Sequence, residues 1–320
     1  MKVDLVTGFS GSGKTVWMNR YIRYLSARGL KVRVIENDFS PVGTDAEELK
    51  GTGCEIVDLS GVCLRCGGAA KFQNMLIRGA RDGCDRLVVE SPGIYDAGEF
   101  FDTMKLEEVS SCCEIGSIFA VADPFGAEEA FSESAGYLTF TQLFSAGKIL
   151  ISKTDLAGEE KTEQLEERIR RLMEERGCGP VPEERICRKS WDQLTDQELE
   201  ACMESGFKAL DYTREYGRHG MEYESRETAD LCADRQDLKN RVERLMTDPV
   251  FGRVLRVKGC IQDLEKNWDE VSGFPGGVWV KPAGSRRGIC GTGSEGSGPG
   301  VSIFIQKNGR RKPPCLSLCT

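Results

Sequence analysis

The sequence predicts an α/β protein, with a mostly parallel sheet covered by helices and a smaller α+β domain after it. Two observations predict this fold. Short β-branched runs alternate with helical patterns through about the first 190 residues, which is typical of parallel strands joined by covering helices. The octet GFSGSGKT at residues 8–15 fits the pattern G-x-x-x-x-G-K-[ST], between a strand-like run and a helical pattern. The first domain is therefore predicted to be a P-loop NTPase domain.

Runs of β-branched and aliphatic residues mark the strands of the first domain, and apolar residues at helical spacing mark its clearest helices. The predicted strands cover residues 3–6, 32–35, 55–59, 87–89, 118–121 and 149–151. The predicted helices cover residues 71–81, 98–108 and 159–176. Gly177 follows the last helix and predicts its end.

Composition divides the chain into three parts, and the first domain is predicted to cover residues 1–210. A small α+β domain is predicted over residues 211–280, with strands at 221–225 and 253–261 around an amphipathic helix. Residues 281–320 hold seven Lys or Arg and one Glu among many Gly and Ser. This part is predicted to be a flexible, basic tail.

Charge and cysteine content limit the classes of function. The net charge of −8 over 320 residues argues against a nucleic-acid-binding surface. The sequence shows neither a signal-like start nor an apolar run long enough for a membrane span, so a soluble cytoplasmic protein is expected. Fourteen scattered cysteines are expected to stay reduced there. The single histidine, His219, excludes a histidine-rich metal site.

The octet predicts a polyphosphate site, because a strand, a glycine-rich turn and a helix start aim backbone N–H groups at one point. Lys14 would lie along the β- and γ-phosphates, and the Thr15 hydroxyl would bind Mg²⁺. The alternative is a chance glycine-rich turn. The residues expected to contact the nucleotide are Gly8, Ser10, Gly11, Ser12, Gly13, Lys14 and Thr15.

A second segment predicts that the nucleotide is GTP. Residues 152–155, SKTD, follow a predicted strand and are similar to the guanine-reading pattern N-K-x-D, with Ser152 in place of Asn. The Asp155 carboxylate can accept two hydrogen bonds from guanine, whereas adenine offers no matching pair of donors. Lys153 would pack its stem against the base. The alternative is an ordinary surface loop after a strand.

Two acidic segments extend the predicted site. Glu90 directly follows a predicted strand and would hold Mg²⁺ or its water, while the backbone N–H of Gly93 would sense the γ-phosphate. Catalysis is assigned to Lys14, Glu90 and Gly93. Asp38 would join Thr15 and Glu90 at magnesium, and Glu36 would serve a second, transferred metal. A solvated acidic loop is the alternative interpretation of residues 36–45.

Cys63 and Cys66 stand in a C-x-x-C pattern that can give two thiolates to one tetrahedral ion. Cys54 or a nearby carboxylate could add a ligand, and thiolates favour Zn²⁺ or another late transition metal. A redox-active pair and ordinary small residues are the alternatives. The adjacent pair Cys112–Cys113 is interpreted as structural, because neighbours on a strand point to opposite faces.

Together, the segments GFSGSGKT, ENDFSPVGTD, ESPGIYD and SKTDL resemble the CobW-type P-loop GTPases, relatives of the nickel-insertion GTPases of urease and hydrogenase maturation. The segment VLRVKG at residues 254–259 extends the resemblance to roughly residue 270. The resemblance implies GTP hydrolysis that drives delivery of zinc or a cobalt-like ion to a client protein or cofactor pathway. No residue is an obvious base for the attacking water, so hydrolysis is expected to be slow and to wait for a partner or a nucleotide-dependent homodimer. The metal motif of that family is C-x-C-C, and this chain has C-x-x-C.

Two other functions stay open at this point. A GTP-dependent activator of a metallo- or corrinoid enzyme would bind GTP without carrying metal. A small-molecule kinase would use the same phosphate loop with ATP, and Asp155 argues against it.

Overall fold

The computed structural model describes residues 1–36, 54–58, 69–209, 223–229, 234–248, 253–262, 268–274, 277–282 and 300–306. These residues fall into two compact units, one before residue 220 and one after it. Each unit has its own sheet and its own buried core.

The first unit is built on a parallel sheet of seven strands in the order β3-β2-β4-β1-β5-β6-β7. The strands are β1 Lys2–Thr7, β2 Val32–Glu36, β3 Glu55–Asp58, β4 Arg86–Glu90, β5 Glu114–Ala122, β6 Lys148–Ile151 and β7 Ile186–Cys187. In such a sheet, ligands bind at the carboxyl ends of the strands. The predicted α/β fold is confirmed.

Helices connect these strands. They are α1 Lys14–Ala27, α2 Ala69–Arg81, α3 Ala97–Met104, α4 Glu107–Ser110, α5 Ala127–Ala130, α6 Gly136–Ser145, α7 Thr154–Glu175 and α8 Asp196–Met203. The single helix predicted over residues 98–108 is two helices, because Leu106 adopts an extended conformation between them. Gly158 interrupts α7 with φ 76°, so its regular part begins where the sequence predicts the helix to start.

Hydrophobic clusters cover both faces of the seven-stranded sheet. One face holds Val3 and Leu5 of β1 with aromatic residues of α3 and α6. The other holds Val6 with Trp17 and Tyr21 of α1. Alternation along β1 sends its side chains to opposite faces, as the period of a strand requires. Because both faces are buried, β1 carries apolar side chains on both, and Asp4 between Val3 and Leu5 is a buried charged exception.

A buried ionic network fixes the strands that carry the site. Arg86 of β4 donates to Asp4 of β1 at 2.7 and 2.8 Å, and the Tyr21 hydroxyl donates to Asp4 at 2.9 Å. Burial raises the pKa of Asp4, and the neighbouring Arg86 opposes that rise. Removing one partner would leave an unpaired buried charge, which is strongly destabilising. The network therefore holds β1 beside β4, the strands that end at Thr7 and Glu90.

The second unit is an antiparallel sheet of five strands in the order β11-β10-β9-β12-β8, with the helix α9 Arg235–Thr247 packed on it. The strands are β8 Tyr223–Ala229, β9 Arg253–Gln262, β10 Trp268–Phe274, β11 Gly277–Pro282 and β12 Gly300–Gln306. Leu238, Val242 and Leu245 of α9 contribute to its core.

The prediction of a flexible tail over residues 281–320 is wrong for residues 281–282, the last two of β11, and for residues 300–306. Residues 300–306 form β12, an interior strand of the sheet between β9 and β8. Val301 and Ile303 are buried in the core of the second unit. The physical reason is the alternation of apolar residues in VSIFIQ, which suits a strand with one buried face.

Within the described part of the chain, every helix is too short or too polar to cross a bilayer. None of the seven cysteines whose side chains the structure describes forms a disulfide.

Candidate nucleotide site

The phosphate loop connects the carboxyl end of β1 to the first turn of α1. Gly8, Gly11 and Gly13 have φ of 144°, 76° and 101°, values that L side chains rarely adopt. A Cβ on Gly8 would lie only 2.3 Å from the carbonyl oxygen of Val121 in β5. Gly8 is therefore required both by its backbone conformation and by close packing against the neighbouring strand.

The Lys14 side chain folds back over this loop. Its Nζ donates to the carbonyl oxygens of Gly8 at 3.2 Å and Phe9 at 3.4 Å, and the residue is 5% exposed. A cation held at the mouth of a ring of backbone N–H groups creates a strongly anion-attracting point. Lys14 thus lies against the loop, and its contact with the β- and γ-phosphates stays a prediction.

The side chains of Thr15 and Glu90 are in contact at the N-terminal end of α1. Thr15 Oγ1 lies 3.3 Å from Glu90 Oε1 and 3.5 Å from Oε2, and Glu90 is 2% exposed. Glu90 is placed there by the parallel pairing of β4 with β1, in which Val6 aligns with Glu90. A hydroxyl and a carboxylate are the hard oxygen donors that Mg²⁺ prefers, so these residues fit that ion.

The segment after β4 lies directly on the phosphate loop. Ser91 donates from its backbone N–H to Val6 O at 3.0 Å and from its hydroxyl to Thr7 Oγ1 at 2.8 Å. A Cβ on Gly93 would lie 2.5 Å from the backbone nitrogen of Ser10. Only glycine can bring its backbone this close to the loop, and Gly93 is thereby brought to the phosphate-binding edge of the sheet.

The turn after β6 reaches the phosphate loop from the other side. Lys153 has φ 55° and is the only residue other than glycine with positive φ in the described ranges. Its Nζ donates to Gly11 O at 2.9 Å and pairs with Asp123 Oδ2 at 2.5 Å. This left-handed conformation costs about 1–3 kcal/mol and typically persists at functional sites. Lys153 therefore joins the phosphate loop to the loop after β5.

Asp123 is a site residue that the sequence patterns do not single out. Its Oδ1 accepts the backbone N–H of Phe125 at 2.9 Å, which orients Oδ2 towards Lys153. The Asp123 side chain is 8% exposed, so the ion pair of Asp123 with Lys153 is poorly solvated. A sequence signal existed, since Asp123 closely follows a predicted strand, as Glu90 does.

Asp155 lies in the first turn of α7, two residues after Lys153, and is exposed. Ser152, the residue that replaces Asn, is buried and donates to Ala122 O through its backbone N–H at 2.9 Å and its hydroxyl at 3.3 Å. Trp191, in the turn after β7, lies near Ser152 and near Gly13 of the phosphate loop. A Cβ on Gly13 would contact the Trp191 ring at 3.4 Å and Ser152 at 3.5 Å.

Of the further residues predicted to bind metal, the structure describes one and leaves three outside its described ranges. Glu36 ends β2, and Ile35 aligns with Val89 of β4, so Glu36 lies on the strand beside Glu90 at the same edge of the sheet. Asp38, Cys63 and Cys66 lie outside the described residues. Within the described ranges, the acidic, cysteine and histidine residues form no group of three arranged to hold a metal ion.

Sequence comparison gives relatives of this chain. A family profile described as CobW/HypB/UreG, nucleotide-binding domain, matches residues 2–178. Zinc chaperone YjiA of Escherichia coli (strain K12) is 30% identical over 179 residues, 53% of this chain and 54% of that protein. Zinc-regulated GTPase metalloprotein activator 1 of Dictyostelium discoideum is 24% identical, covering 81% of this chain and 62% of that protein. The chain thus spans about half the length of YjiA in that alignment.

Structure comparison finds similar chains at lower identity. The Zn(II)-bound YjiA GTPase from E. coli is 22% identical with a TM-score of 0.44, covering 96% of this chain and 95% of that chain. HypB from Helicobacter pylori in complex with nickel is 17% identical with a TM-score of 0.38, covering 62% and 82%.

Proposed function

The chain belongs to the CobW/HypB/UreG family through the nucleotide-binding domain at residues 2–178, and we propose that it binds and slowly hydrolyses GTP to drive delivery of a metal ion. The observation that carries the nucleotide part is the meeting of Thr15 and Glu90 beside Lys14 and the phosphate loop. The client would be a metalloprotein or a protein of a cofactor pathway, in the cytoplasm. A nucleotide-dependent homodimer is part of the proposal.

In the proposed site, backbone N–H groups of residues 8–15 and the Lys14 ammonium hold the phosphates. Thr15 and Glu90 would hold Mg²⁺, with Asp38 as a further oxygen ligand from the loop after β2. The ion would neutralise charge on the β- and γ-phosphates. Gly93 packs closely on Ser10, and its backbone N–H would sense the γ-phosphate.

Guanine recognition is assigned to the turn after β6. Asp155 would accept the two N–H groups of guanine, and Lys153 fixes this turn to Gly11 of the phosphate loop. Because one side chain joins the phosphate loop to the base-reading turn, base and phosphates would be bound in a fixed relative position.

Slow hydrolysis follows from the roles proposed for the catalytic residues. Lys14, Glu90 and Gly93 can position phosphate, metal and loop, and none of them is a base placed to deprotonate water. Phosphoryl transfer depends mainly on positioning and charge stabilisation, and a missing group can be supplied by a partner. We therefore expect slow turnover by the isolated protein and faster turnover with its client or in a dimer.

The cargo is proposed to be zinc or another late transition metal. The names of the relatives, zinc chaperone YjiA among them, support zinc. The proposed ligands are the thiolates of Cys63 and Cys66 with the carboxylate of Glu36. A shell of so few protein ligands leaves open positions, which suits an ion that must be released.

A zinc titration in two nucleotide states tests the coupling between GTP and cargo. The protein is titrated with Zn²⁺ in the presence of a non-hydrolysable GTP analogue and in the presence of GDP. If hydrolysis drives release, the two zinc affinities differ about 5- to 150-fold, and zinc changes the nucleotide affinities by the same factor.

The double variant Cys63→Ser/Cys66→Ser is the matched comparison. It should bind GTP normally and lose the nucleotide-dependent zinc affinity. Equal zinc affinities in both nucleotide states would refute metal delivery, and would favour a GTP-dependent activator that carries no metal.

A further inference from the structure

Two thiols that play no part in the nucleotide site lie side by side in the turn between α4 and β5. The Sγ atoms of Cys112 and Cys113 are 3.7 Å apart. The sequence predicts that these neighbours point to opposite faces of a strand, and that prediction is wrong. Both residues precede the first residue of β5, Glu114, and lie in the turn before it. Turn geometry lets adjacent side chains point the same way.

The separation of the two sulfurs suits one bridging cation better than a disulfide. Two thiolates on a tetrahedral ion with metal–sulfur bonds of about 2.3 Å have sulfurs about 3.8 Å apart. A disulfide needs sulfurs about 2.05 Å apart and Cα atoms about 4.4–6.8 Å apart, whereas adjacent Cα atoms are about 3.8 Å apart. A cation can therefore bind without backbone movement, and a disulfide would be strained.

The surroundings fix one sulfur and expose the other. Cys113 is 7% exposed, and its thiol contacts the Leu76 carbonyl oxygen at 3.7 Å. Cys112 is half-buried, and its thiol contacts the Glu108 and Val109 carbonyl oxygens at 3.4 and 3.5 Å. An ion can approach through Cys112 and then engage Cys113, which is already oriented. Both thiol protons leave to solvent as the two metal–sulfur bonds form.

We propose that Cys112 and Cys113 form a second, two-thiolate site for a thiophilic divalent cation of the zinc and cadmium type, separate from the nucleotide site. The nucleotide site lies at the carboxyl ends of the strands, whereas this pair precedes the amino end of β5. The nine residues of β5 span about 26 Å at 3.3 Å per step. Ion binding at this pair does not depend on the proposed GTP-driven delivery.

Cadmium titration tests the site, because cadmium–thiolate bonds absorb in the ultraviolet. The reference protein is the full chain with Cys63→Ser and Cys66→Ser, which removes the other proposed thiolates. Adding Cys112→Ser should lower the amount of bound cadmium by one ion per chain. It should also lower the charge-transfer absorbance by the contribution of two cadmium–thiolate bonds. Adding Cys178→Ser, which removes a half-buried thiol outside this pair, should change neither quantity.

Cys112 is the decisive position because it is half-buried, so its substitution should leave the melting temperature unchanged. Cys113→Ser is the second variant and should give the same loss of cadmium if it folds. The titrations are run without nucleotide, so their result is independent of GTP binding. Equal cadmium stoichiometry and absorbance in the reference and in Cys112→Ser would overturn the proposal.

Discussion

Thr15 Oγ1 of α1 lies 3.3 Å from Glu90 Oε1 at the end of β4, although 75 residues separate them in the chain. The pairing of β1 with β4 and the buried Asp4–Arg86 contact hold the two elements in this relation. A hydroxyl and a carboxylate thus converge on the edge where the phosphate loop ends.

Removing either of the oxygens proposed to bind magnesium should impair magnesium-dependent hydrolysis while leaving the fold intact. Thr15→Ala and Glu90→Gln should each lower the rate of GTP hydrolysis by about 10²-fold or more, since metal stabilisation of the transition state is worth several kcal/mol. Phosphate release at saturating GTP and varied Mg²⁺ measures the effect. Thr15→Ser keeps the hydroxyl and should stay close to wild type. Unchanged hydrolysis in Thr15→Ala would mean that Thr15 is not a magnesium ligand.

Changing Asp155 to asparagine should change which purine is bound. The amide side chain offers one acceptor and one donor, which suits xanthine, whereas guanine loses an acceptor. Loss of a charged hydrogen bond costs about 1.5–3 kcal/mol, so GTP affinity should fall by about tenfold to a hundredfold. Competition of GTP and xanthosine triphosphate for a fluorescent analogue measures this change. Glu159→Gln, an exposed carboxylate of the same helix, is the control and should bind GTP as wild type does.

Lys153 and Asp123 should act as a coupled pair in nucleotide binding. Lys153→Met frees the Gly11 carbonyl and leaves the poorly exposed Asp123 without its cation, while Asp123→Asn keeps the bond to Phe125 N–H. A double-mutant cycle on GTP affinity should give a coupling energy of about 0.5–3 kcal/mol. If the two losses simply add, the contact between these residues does not support the site.

Acid should weaken the first unit partly through Glu166. Burial raises the pKa of Glu166, but ion pairs with Arg188 at 2.5 Å and Arg170 at 2.6 Å outweigh burial and leave that pKa below its ordinary value. The unfolded pKa is about 4.3, so the contribution to stability is present above that pH and is lost as pH falls through the lower folded pKa.

Urea unfolding of wild type and Glu166→Gln at a series of pH values tests this account. The difference in unfolding free energy should be largest near neutral pH and shrink as the pH falls below about 4. Glu167→Gln removes an exposed neighbour that pairs with Arg171 at 3.3 Å, and it should show little difference at any pH. A constant difference for Glu166→Gln would contradict the proposed ion pairs.

Residues 300–306 should be needed for the second unit. Ile303 is fully buried between neighbouring strands of its sheet. Ile303→Ala should destabilise this unit by about 2–5 kcal/mol, the usual cost of such a truncation. Amide hydrogen exchange should therefore quicken in β9, β10 and β12, with the strands of the first unit as internal reference. Exchange as slow as in wild type would mean that β12 does not contribute to this core.

Elements with a local signal could be predicted from the sequence. The phosphate loop, the strands beside it and the SKTD turn depend on residues that are close together in the chain. The helix α6 could not be predicted, because nine of its ten residues are buried, including the polar Thr139, Thr141, Gln142 and Ser145. Its polar residues therefore do not mark a solvent-facing side from which a helical period can be read. The strand β7 has only two residues, too few for a pattern.

The contacts within the site could not be predicted, because they join distant parts of the chain. Lys153 and Asp123 are 30 residues apart, and only the pairing of β5 with β6 brings their loops together. The same limit applies to β12, whose alternating Val301 and Ile303 follow residues that are rich in Gly and Ser. A short alternating pattern identifies a strand only when the neighbouring strand that pairs with it is known.

Competition between GTP and ATP for a fluorescent GTP analogue, in the presence of Mg²⁺, tests the central claim most directly. GTP should displace the analogue at a concentration at least about tenfold lower than ATP, because only guanine offers Asp155 two donors. Asp155→Asn should abolish that preference. Displacement by ATP at an equal or lower concentration would contradict the assignment of this chain as a GTP-binding protein.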